Sequence, residues 1–154
     1  ALADPELRVR VAAAHALVAV ADAQDALPTA SALVALGDDF DKVTAKNKWL
    51  GDEQWRDWHD LNATMVEALA AMGDPRTASA VHDVALLKIL LTEVKSGSVH
   101  IDPVPVHAAS AIRILKALPA FRDPKLKPPL GKVRERFAGQ PKVLEAVDEA
   151  EKKF

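Results

Sequence analysis

Residues 3–36 read ADPELRVRVAAAHALVAVADAQDALPTASALVAL, a sequence that predicts two helices joined by a short acidic turn. Asp4 and Pro5 suit a helix start, because an aspartate side chain accepts hydrogen bonds from free backbone N–H groups and a proline has none to lose. Apolar residues then recur three and four positions apart, which is the spacing of one helix face. The second helix, about residues 26–36, is predicted to end at Gly37. The residues expected to face inward are Leu7, Val11, Ala14, Leu17 and Val18, followed by Leu27, Ala30, Leu33 and Val34.

One sequence pattern of this stretch recurs twice along the chain. In each copy an alanine-rich run contains a leucine that is followed five residues later by an aspartate, at Leu17 and Asp22, Leu69 and Asp74, and Leu118 and Asp123. The offsets, 52 and 49 residues, are unequal, as expected for helical pairs separated by loops of different lengths. We therefore expect one all-α domain over residues 1–154, an α-solenoid of about three helical pairs with a C-terminal capping helix. The units are expected at about 3–37, 52–95 and 105–139, with the cap at 141–154.

The second unit follows a long connection. Residues 38–52 are predicted to be an irregular insertion, because packed helices are usually joined by about two to eight residues. A helix ending near Gly73 carries Trp55 and Trp58 at the spacing of a buried face, and its mate spans about 76–95. The residues of that mate expected to face inward are Ala80, Val84, Leu87, Leu91 and Val94.

The third unit contains a break. Its first helix is predicted to place Val106, Ala109, Ile112 and Leu115 inward. Pro128 and Pro129 fall where the second helix would continue, and a proline there removes a backbone hydrogen bond and clashes with the preceding turn. We therefore expect one short turn over about 124–127 and a new helix from Pro129 to Phe137. A last helix opening at Pro141 is mostly polar, as expected of the terminal element of an array.

The composition favours a helical protein and excludes several kinds of site. The chain contains 29 alanines and no tyrosine, whereas sheet proteins favour β-branched and aromatic residues. The absence of cysteine excludes disulfides, thiolate nucleophiles and cysteine-ligated metals, and it leaves the compartment open between cytoplasm and periplasm. The longest apolar run, residues 84–91, is interrupted by Lys88 and is far shorter than the ~20 residues that span a bilayer. Because the first residues enter a helical pair without a polar cap, we expect the chain to be part of a larger protein.

The quoted stretch also resembles a known repeat. Its Asp-Pro start, the arginine that follows, the AAxAL core, the turn aspartate and the ALP opening of the second helix resemble the bacterial type of HEAT repeat. The segment MVEALAAMGDPRTASAV resembles the middle of a second repeat, and ASAIRILKALPAFRDPKLKPPL a more divergent third. The resemblance is strongest over residues 3–36 and weaker over 65–95 and 106–138. It implies an α-solenoid, and such proteins are usually scaffolds or adaptors; it names no ligand.

Three tryptophans lie close together in the sequence. Trp55 and Trp58 are expected to fill the core, although an exposed aromatic platform for a partner is the alternative, because tryptophan is enriched at binding hot spots. Trp49 lies in the predicted insertion beside Leu50, and insertions in helical arrays often lie on the binding face. Trp49 and Leu50 are therefore candidate partner-binding residues.

Two polar clusters invite comparison with metal sites. The His-Asp pairs at 59–60 and 82–83 resemble the paired iron ligands of the deoxyhypusine hydroxylases, but the required glutamate is missing, so we interpret them as solvated residues on helix faces. Asp38, Asp39 and Asp41 offer the hard oxygen ligands that Ca²⁺ prefers, but the glycine and terminal glutamate of the EF-hand loop are not in place. We expect a solvated acidic loop there, and no metal or cofactor.

The charge is unevenly distributed. Residues 1–41 contain two arginines and seven acidic residues, net −5, whereas residues 113–142 contain nine lysines or arginines against two acidic residues, net +7. The total of −2 hides this contrast. Arg113, Lys116 and Arg134 are therefore candidate residues for binding phosphates or an acidic protein. The alternative is that these charges only solvate the outer faces of short helices.

Together these patterns predict a non-enzymatic scaffold or adaptor. It would bind another protein or a neighbouring domain through its helical surface and the 38–52 insertion. Nucleic-acid binding through the basic 113–142 segment is the alternative, although the acidic first unit does not extend that basic surface. An enzymatic role like that of the phycobilin lyases, which share such repeats, is a third hypothesis, but no nucleophile or acid–base pair stands out by its spacing in the sequence.

Overall fold

The protein is predominantly helical in a computed structural model. The structure describes residues 1–45, 52–92 and 104–154, and no strand occurs among them. The α-helices within these ranges are α1 (Leu7–Val20), α2 (Ala26–Ala45), α3 (Asp52–Met72), α4 (Ala78–Ala80), α5 (Val104–Ala117), α6 (Pro129–Arg136) and α7 (Pro141–Glu151). A π-helix (Val81–Leu90) continues α4 directly, and 3-10 helices span Ala23–Asp25, Pro75–Thr77, Leu118–Phe121 and Pro124–Leu126. The prediction of an all-α protein is confirmed.

Aspartate side chains make the same turn at four places. Each accepts a backbone hydrogen bond from the residue two positions later. At Asp22, Asp74 and Asp123 this bond satisfies one N–H group that the following helix leaves free. Asp4 bonds Glu6, which precedes α1, so the predicted start of the first helix at Asp4 and Pro5 is wrong and the helix begins at Leu7. The bonds run from the N–H of Glu6 to Asp4, of Gln24 to Asp22, of Arg76 to Asp74 and of Lys125 to Asp123, each 2.9 Å long. The aspartate that recurs in the sequence is therefore a capping residue. At the other end of α3, Gly73 takes the left-handed conformation that ends a helix, with a φ of +70°.

The helices pack in two series that meet at α3. α1 contacts α3, α3 contacts α5 and α5 contacts α7, whereas α2 and α6 both contact the π-helix. α3 also contacts α2 and the π-helix, so every residue from 61 to 66 is buried. Trp55 and Trp58 meet the ring of Phe40 on α2 edge-on, with centroid distances of 6.0 and 5.6 Å. Both tryptophans are buried, which confirms their predicted place in the core.

Gly37 does not end the second helix. α2 continues through it to Ala45, so the predicted helix end is wrong and residues 38–45 are helical rather than irregular. A Cβ atom at Gly37 would lie 2.6 Å from Cγ1 of Val84 on the π-helix and 3.0 Å from Cδ of Lys88. The glycine is needed there because α2 and the π-helix cross closely.

The π-helix changes which side chains face inward. Its backbone hydrogen bonds join residues five positions apart, so each turn contains more residues than an α-helical turn. Buried positions therefore recur at 81, at 84–86 and at 89–90. Leu86 is fully buried whereas Leu87 is 38 % exposed. The prediction that Leu87 faces inward assumed α-helical spacing, and it is wrong.

Four other apolar residues predicted to face inward lie on the surface, namely Val18, Leu27, Val34 and Ala109. The first three belong to α1 and α2, where their side chains are 40 to 44 % exposed. In the third unit, the predicted short turn before a new helix is confirmed: a 3-10 helix at Pro124–Leu126 precedes α6. Leu130, Val133 and Phe137 are buried as expected. Val94 and the side chain of Val106 lie outside the described part of the chain.

Candidate functional site

α1 and the first part of α2 each carry an exposed stripe of uncharged side chains. The residues of each stripe recur every three or four positions, which is the spacing of one helix face. The α1 stripe lies away from the buried Ala14, and the α2 stripe lies away from Gly37, which contacts the π-helix. We call the two stripes the open face; its members are Val9, Ala12, Ala16, Val20, Pro28, Ser31 and Ala35. Val20 is 79 % exposed, and a group of exposed apolar side chains, unlike a single exposed valine, is typical of an interaction site.

A groove of about 370 Å³ is lined by the start of α1 and the end of α2, with Trp58 of α3 among its lining residues. Arg10 and Asp39 pair at its wall, with 2.9 Å between Nη1 and Oδ2. Lys42 lies 3.4 Å from the other oxygen of the same carboxylate. Burial raises the pKa of Asp39, but Arg10 and Lys42 outweigh burial and hold that pKa below its ordinary value. The groove therefore combines an aromatic wall with a fixed ion pair.

The opposite end of the helix series is polar. α7 packs on α5 and α6, and most of its exposed positions carry a charge. The exposed positions of α7 are Pro141, Lys142, Glu145, Asp148 and Glu149, and all but Pro141 are charged. The apolar open face and the charged outer side of α7 therefore suit different surroundings, protein contact in one case and water in the other.

Ion pairs join α1, α3 and α5. Nε2 of His15 on α1 lies 3.0 Å from the Asp60 carboxylate on α3, and Nη1 of Arg113 on α5 lies 2.6 Å from the same group. Burial raises the pKa of Asp60, but the hydrogen bonds from His15 and Arg113 outweigh burial and hold that pKa below its ordinary value. These ion pairs therefore add to the apolar contacts that hold α1, α3 and α5 together.

The basic residues predicted to bind a partner differ in their surroundings. Arg113 binds carboxylates of α3, and Arg134 pairs with two acidic residues of α7 at 2.6 and 3.1 Å. Lys116 is exposed and makes no ion pair with the described residues. Trp49 and Leu50 lie outside the described residues. The partner-binding role of these five residues stays a prediction.

Other basic residues near the α5–α6 connection are exposed. They make no ion pair within the described ranges. Because they lie close together in the sequence, we call them the basic cluster, which consists of Lys116, Arg122, Lys125, Lys127 and Lys132. Arg122 has a φ of +52° and follows the 3-10 helix Leu118–Phe121, so the chain turns sharply where that helix ends. Lys142 on α7 is also exposed and makes no ion pair with the described residues, so the basic cluster is one part of the 113–142 segment that can meet an anion.

The acidic residues at the end of α2 lie on a helix, so the predicted acidic loop is wrong. Lys88 of the π-helix lies 2.6 Å from Asp41 and 3.5 Å from Asp38, and Asp39 pairs with Arg10. Nowhere in the described ranges do three or more His, Asp or Glu side chains group as they would around a metal ion. No helix in those ranges is both long enough and apolar enough to cross a bilayer.

The sequence prediction missed a buried pair of histidines. His59 of α3 and His107 of α5 are each 1 % exposed, and their rings stack with centroids 3.6 Å apart. Burial, and then the nearby His107 and Arg136, lower the pKa of His59 well below its ordinary value, so its ring is neutral near pH 7. The interpretation of His59 as a solvated surface residue is wrong. Its position four residues after Trp55, on the same buried helix face, is the signal that could have shown this.

Comparisons with protein-family models, with curated proteins and with solved structures find no match to this chain. A functional assignment therefore has to come from the geometry of the molecule. Four features can support a functional assignment: the open face, the groove beside Trp58, the basic cluster and the histidine pair.

Proposed function

We propose that the protein is a non-enzymatic interaction module, an α-solenoid of HEAT-like helical pairs that binds another protein through its open face. The observation that supports this most is the exposed, uncharged surface that runs along α1 and α2 at helical spacing. The contacts of α3 with α1 and α5, and of the π-helix with α2 and α6, agree with helical pairs that stack side by side. In such an arrangement, the open face is the side on which a further helical surface packs.

The partner is expected to present apolar helical side chains bordered by basic residues. The open face belongs to residues 1–41, which carry a net charge of −5, so a partner with a basic rim gains favourable electrostatics. A second copy of the chain would bring two acidic segments together. The charged outer side of α7 offers no apolar complement either. A different protein therefore fits the open face better than self-association does.

The groove provides a place for one large side chain of that partner. Binding energy at interfaces is usually concentrated in a few aromatic or aliphatic anchors that fill pockets. Trp58 offers such an anchor an apolar contact, and the Arg10–Asp39 pair borders it without leaving an uncompensated charge. We therefore expect one buried anchor at the groove and weaker contacts along the open face.

Photo-cross-linking in cells that express the chain tests this proposal. A photoreactive amino acid at Ala16, on the open face, should capture one specific protein. The same amino acid at Glu149, exposed on α7, should not capture that protein. The captured protein is then purified, and its Kd is measured for the parent chain and for Val20→Lys and Val20→Glu. Because lysine adds like charge to a partner with a basic rim, Val20→Lys should weaken binding by about tenfold or more, and more than Val20→Glu does.

The controls separate binding from folding. Val20 is exposed, so both variants should keep the Tm of the parent protein. Equal labelling from positions 16 and 149, or a Kd that neither variant changes, contradicts binding at the open face. A dimer in light scattering that Val20→Lys converts to a monomer would make a second copy the occupant instead.

Nucleic-acid binding is a second candidate, favoured by the exposed basic cluster near the α5–α6 connection. Phosphate contacts release counterions, so affinity for generic duplex DNA should be strongest at low ionic strength and fall steeply as salt is added. Replacing Lys125 and Lys127 with glutamine should weaken that binding, whereas Val20→Lys should not. If no binding is detected even at low ionic strength, this candidate is rejected.

A further inference from the structure

We infer that the stacked histidines make the packing of α3 against α5 acid-sensitive: the helices hold together while both imidazoles are neutral, and separate when the pair takes up a proton. This inference does not depend on the proposed binding function. It rests on the burial of the pair, its stacking and the charges that surround it.

The surroundings of the histidine pair do not stabilise a positive charge. His59 and His107 are each 1 % exposed, and their ring planes lie at 28° with centroids 3.6 Å apart. Both ring nitrogens of His59 lack a hydrogen-bond partner among the described residues. A protonated imidazole carries two N–H donors and a full charge, and burying it without an acceptor costs far more than burying the neutral ring.

The groups around His59 oppose protonation rather than favour it. Among the described residues, His107 on α5 and Arg136 at the end of α6 are the titratable or charged groups that act on it. The Arg136 guanidinium donates to the carbonyl oxygen of Thr92 at 3.1 Å, which holds the cation in place. Other charged groups on the elements packed around α3 pair with one another: Arg8 with Asp57, Arg10 with Asp39, His15 and Arg113 with Asp60, and Lys88 with Asp41.

The direction of the pH effect follows from proton binding. In the unfolded or opened chain His59 takes up a proton near its ordinary pKa of about 6.5, whereas in the folded chain it stays neutral at that pH. The opened state therefore binds more protons as the pH falls below about 6.5. The stability that the neutral ring provides is fully present above that pH and declines below it. For this one histidine, the equilibrium constant for opening should rise about tenfold between about pH 7.5 and 5.5.

Two measurements on the native chain test the inference. In an NMR titration, the Cε1–Hε1 signal of His59 should remain that of a neutral ring at a pH where histidine in an unfolded peptide is mostly charged. In hydrogen exchange corrected for intrinsic rates, the amides of α3 and α5 beside the pair should lose protection by about tenfold more than those of α1 when the pH falls from about 7.5 to 5.5. If His59 titrates with an ordinary midpoint, or if α1 loses protection equally, the inference is overturned.

Matched variants identify the group responsible. His59→Gln should abolish most of the tenfold response, because glutamine does not titrate. His82→Gln should keep the response, because His82 lies on the π-helix and does not belong to the stacked pair. A full response in His59→Gln contradicts the assignment. If His59→Gln does not fold, the NMR titration of the native chain still decides the question.

Discussion

Arg113 of α5 holds Glu67 of α3 through two guanidinium nitrogens, with Nε 2.9 Å and Nη2 2.6 Å from the two carboxylate oxygens. The same guanidinium donates to Asp60 and to the hydroxyl oxygen of Thr64. A residue predicted to meet the phosphate or carboxylate of a partner thus already binds two carboxylates of its own chain. Its main effect is therefore expected on stability.

Arg113→Ala should lower the free energy of unfolding by about 1 to 2 kcal/mol. Charge-assisted hydrogen bonds of this kind are stronger than neutral ones, but about a third of each side chain is exposed, and solvent screens the ion pairs. Lys116→Ala, on the same helix, is the control and should change stability by less than about 0.5 kcal/mol. Urea denaturation measures both, and equal effects would show that the Arg113 network contributes nothing specific.

Gly37→Ala should destabilise the protein although it improves helix propensity. Alanine gains about 1 kcal/mol over glycine within a helix, but the new methyl group overlaps Val84, and overpacking of that kind costs about 1 to 3 kcal/mol. Gly131 on α6 has no atom within 4 Å of the same position, so Gly131→Ala should stabilise by up to about 1 kcal/mol. Thermal denaturation of the two variants compares them directly. If both stabilise the protein, α2 and the π-helix do not approach as closely as described.

Trp58→Ala should cost about 3 to 5 kcal/mol, because the ring is buried beside Phe40 and its removal leaves a cavity. Trp49→Ala is the comparison. Trp49 is predicted from the sequence to be a surface residue, so its removal should leave the Tm nearly unchanged while weakening partner binding. A large drop in Tm for Trp49→Ala would place that residue in the core instead.

Asp60→Asn should lower the stability at neutral pH and alter its dependence on pH only in strong acid. The folded pKa of Asp60 lies below its ordinary value, so its ion pairs stabilise the protein above the unfolded pKa of about 3.9. That contribution is lost as the pH falls through the folded pKa. The variant should therefore lose less stability below about pH 4 than the parent does. Between about pH 7.5 and 5.5 it should show the same fall in stability as the parent, because His59 is unchanged. Urea denaturation across this pH range separates the carboxylate effect from the histidine effect.

Much of the secondary structure could be predicted because its causes are local. Asp22, Asp74 and Asp123 cap the segments that follow them, and the proline pair at 128–129 forces the break before α6. Gly37 could not be read in the same way. Glycine serves both to end a helix and to let two helices approach, and only the position of Val84 distinguishes these uses.

The candidate sites were harder to predict because they depend on which helices become neighbours. Val18, Leu27 and Val34 have the spacing of core residues, and they are exposed because no described helix covers that part of α1 and α2. His59 and His107 meet only when α3 packs against α5, and nothing in their separate sequence contexts indicates this contact. Spacing along one helix reveals a face, but the neighbouring helix decides whether that face is core or surface.

The π-helix limits how this protein can be re-engineered by exchanging modules. A replacement segment with ordinary α-helical periodicity, grafted onto residues 81–90, would rotate successive side chains by a larger angle than the native backbone does. The apolar positions of such a graft would drift out of register with α2 and α3 within two turns. A designer would have to redesign the surfaces of both neighbours together with the transplanted helix.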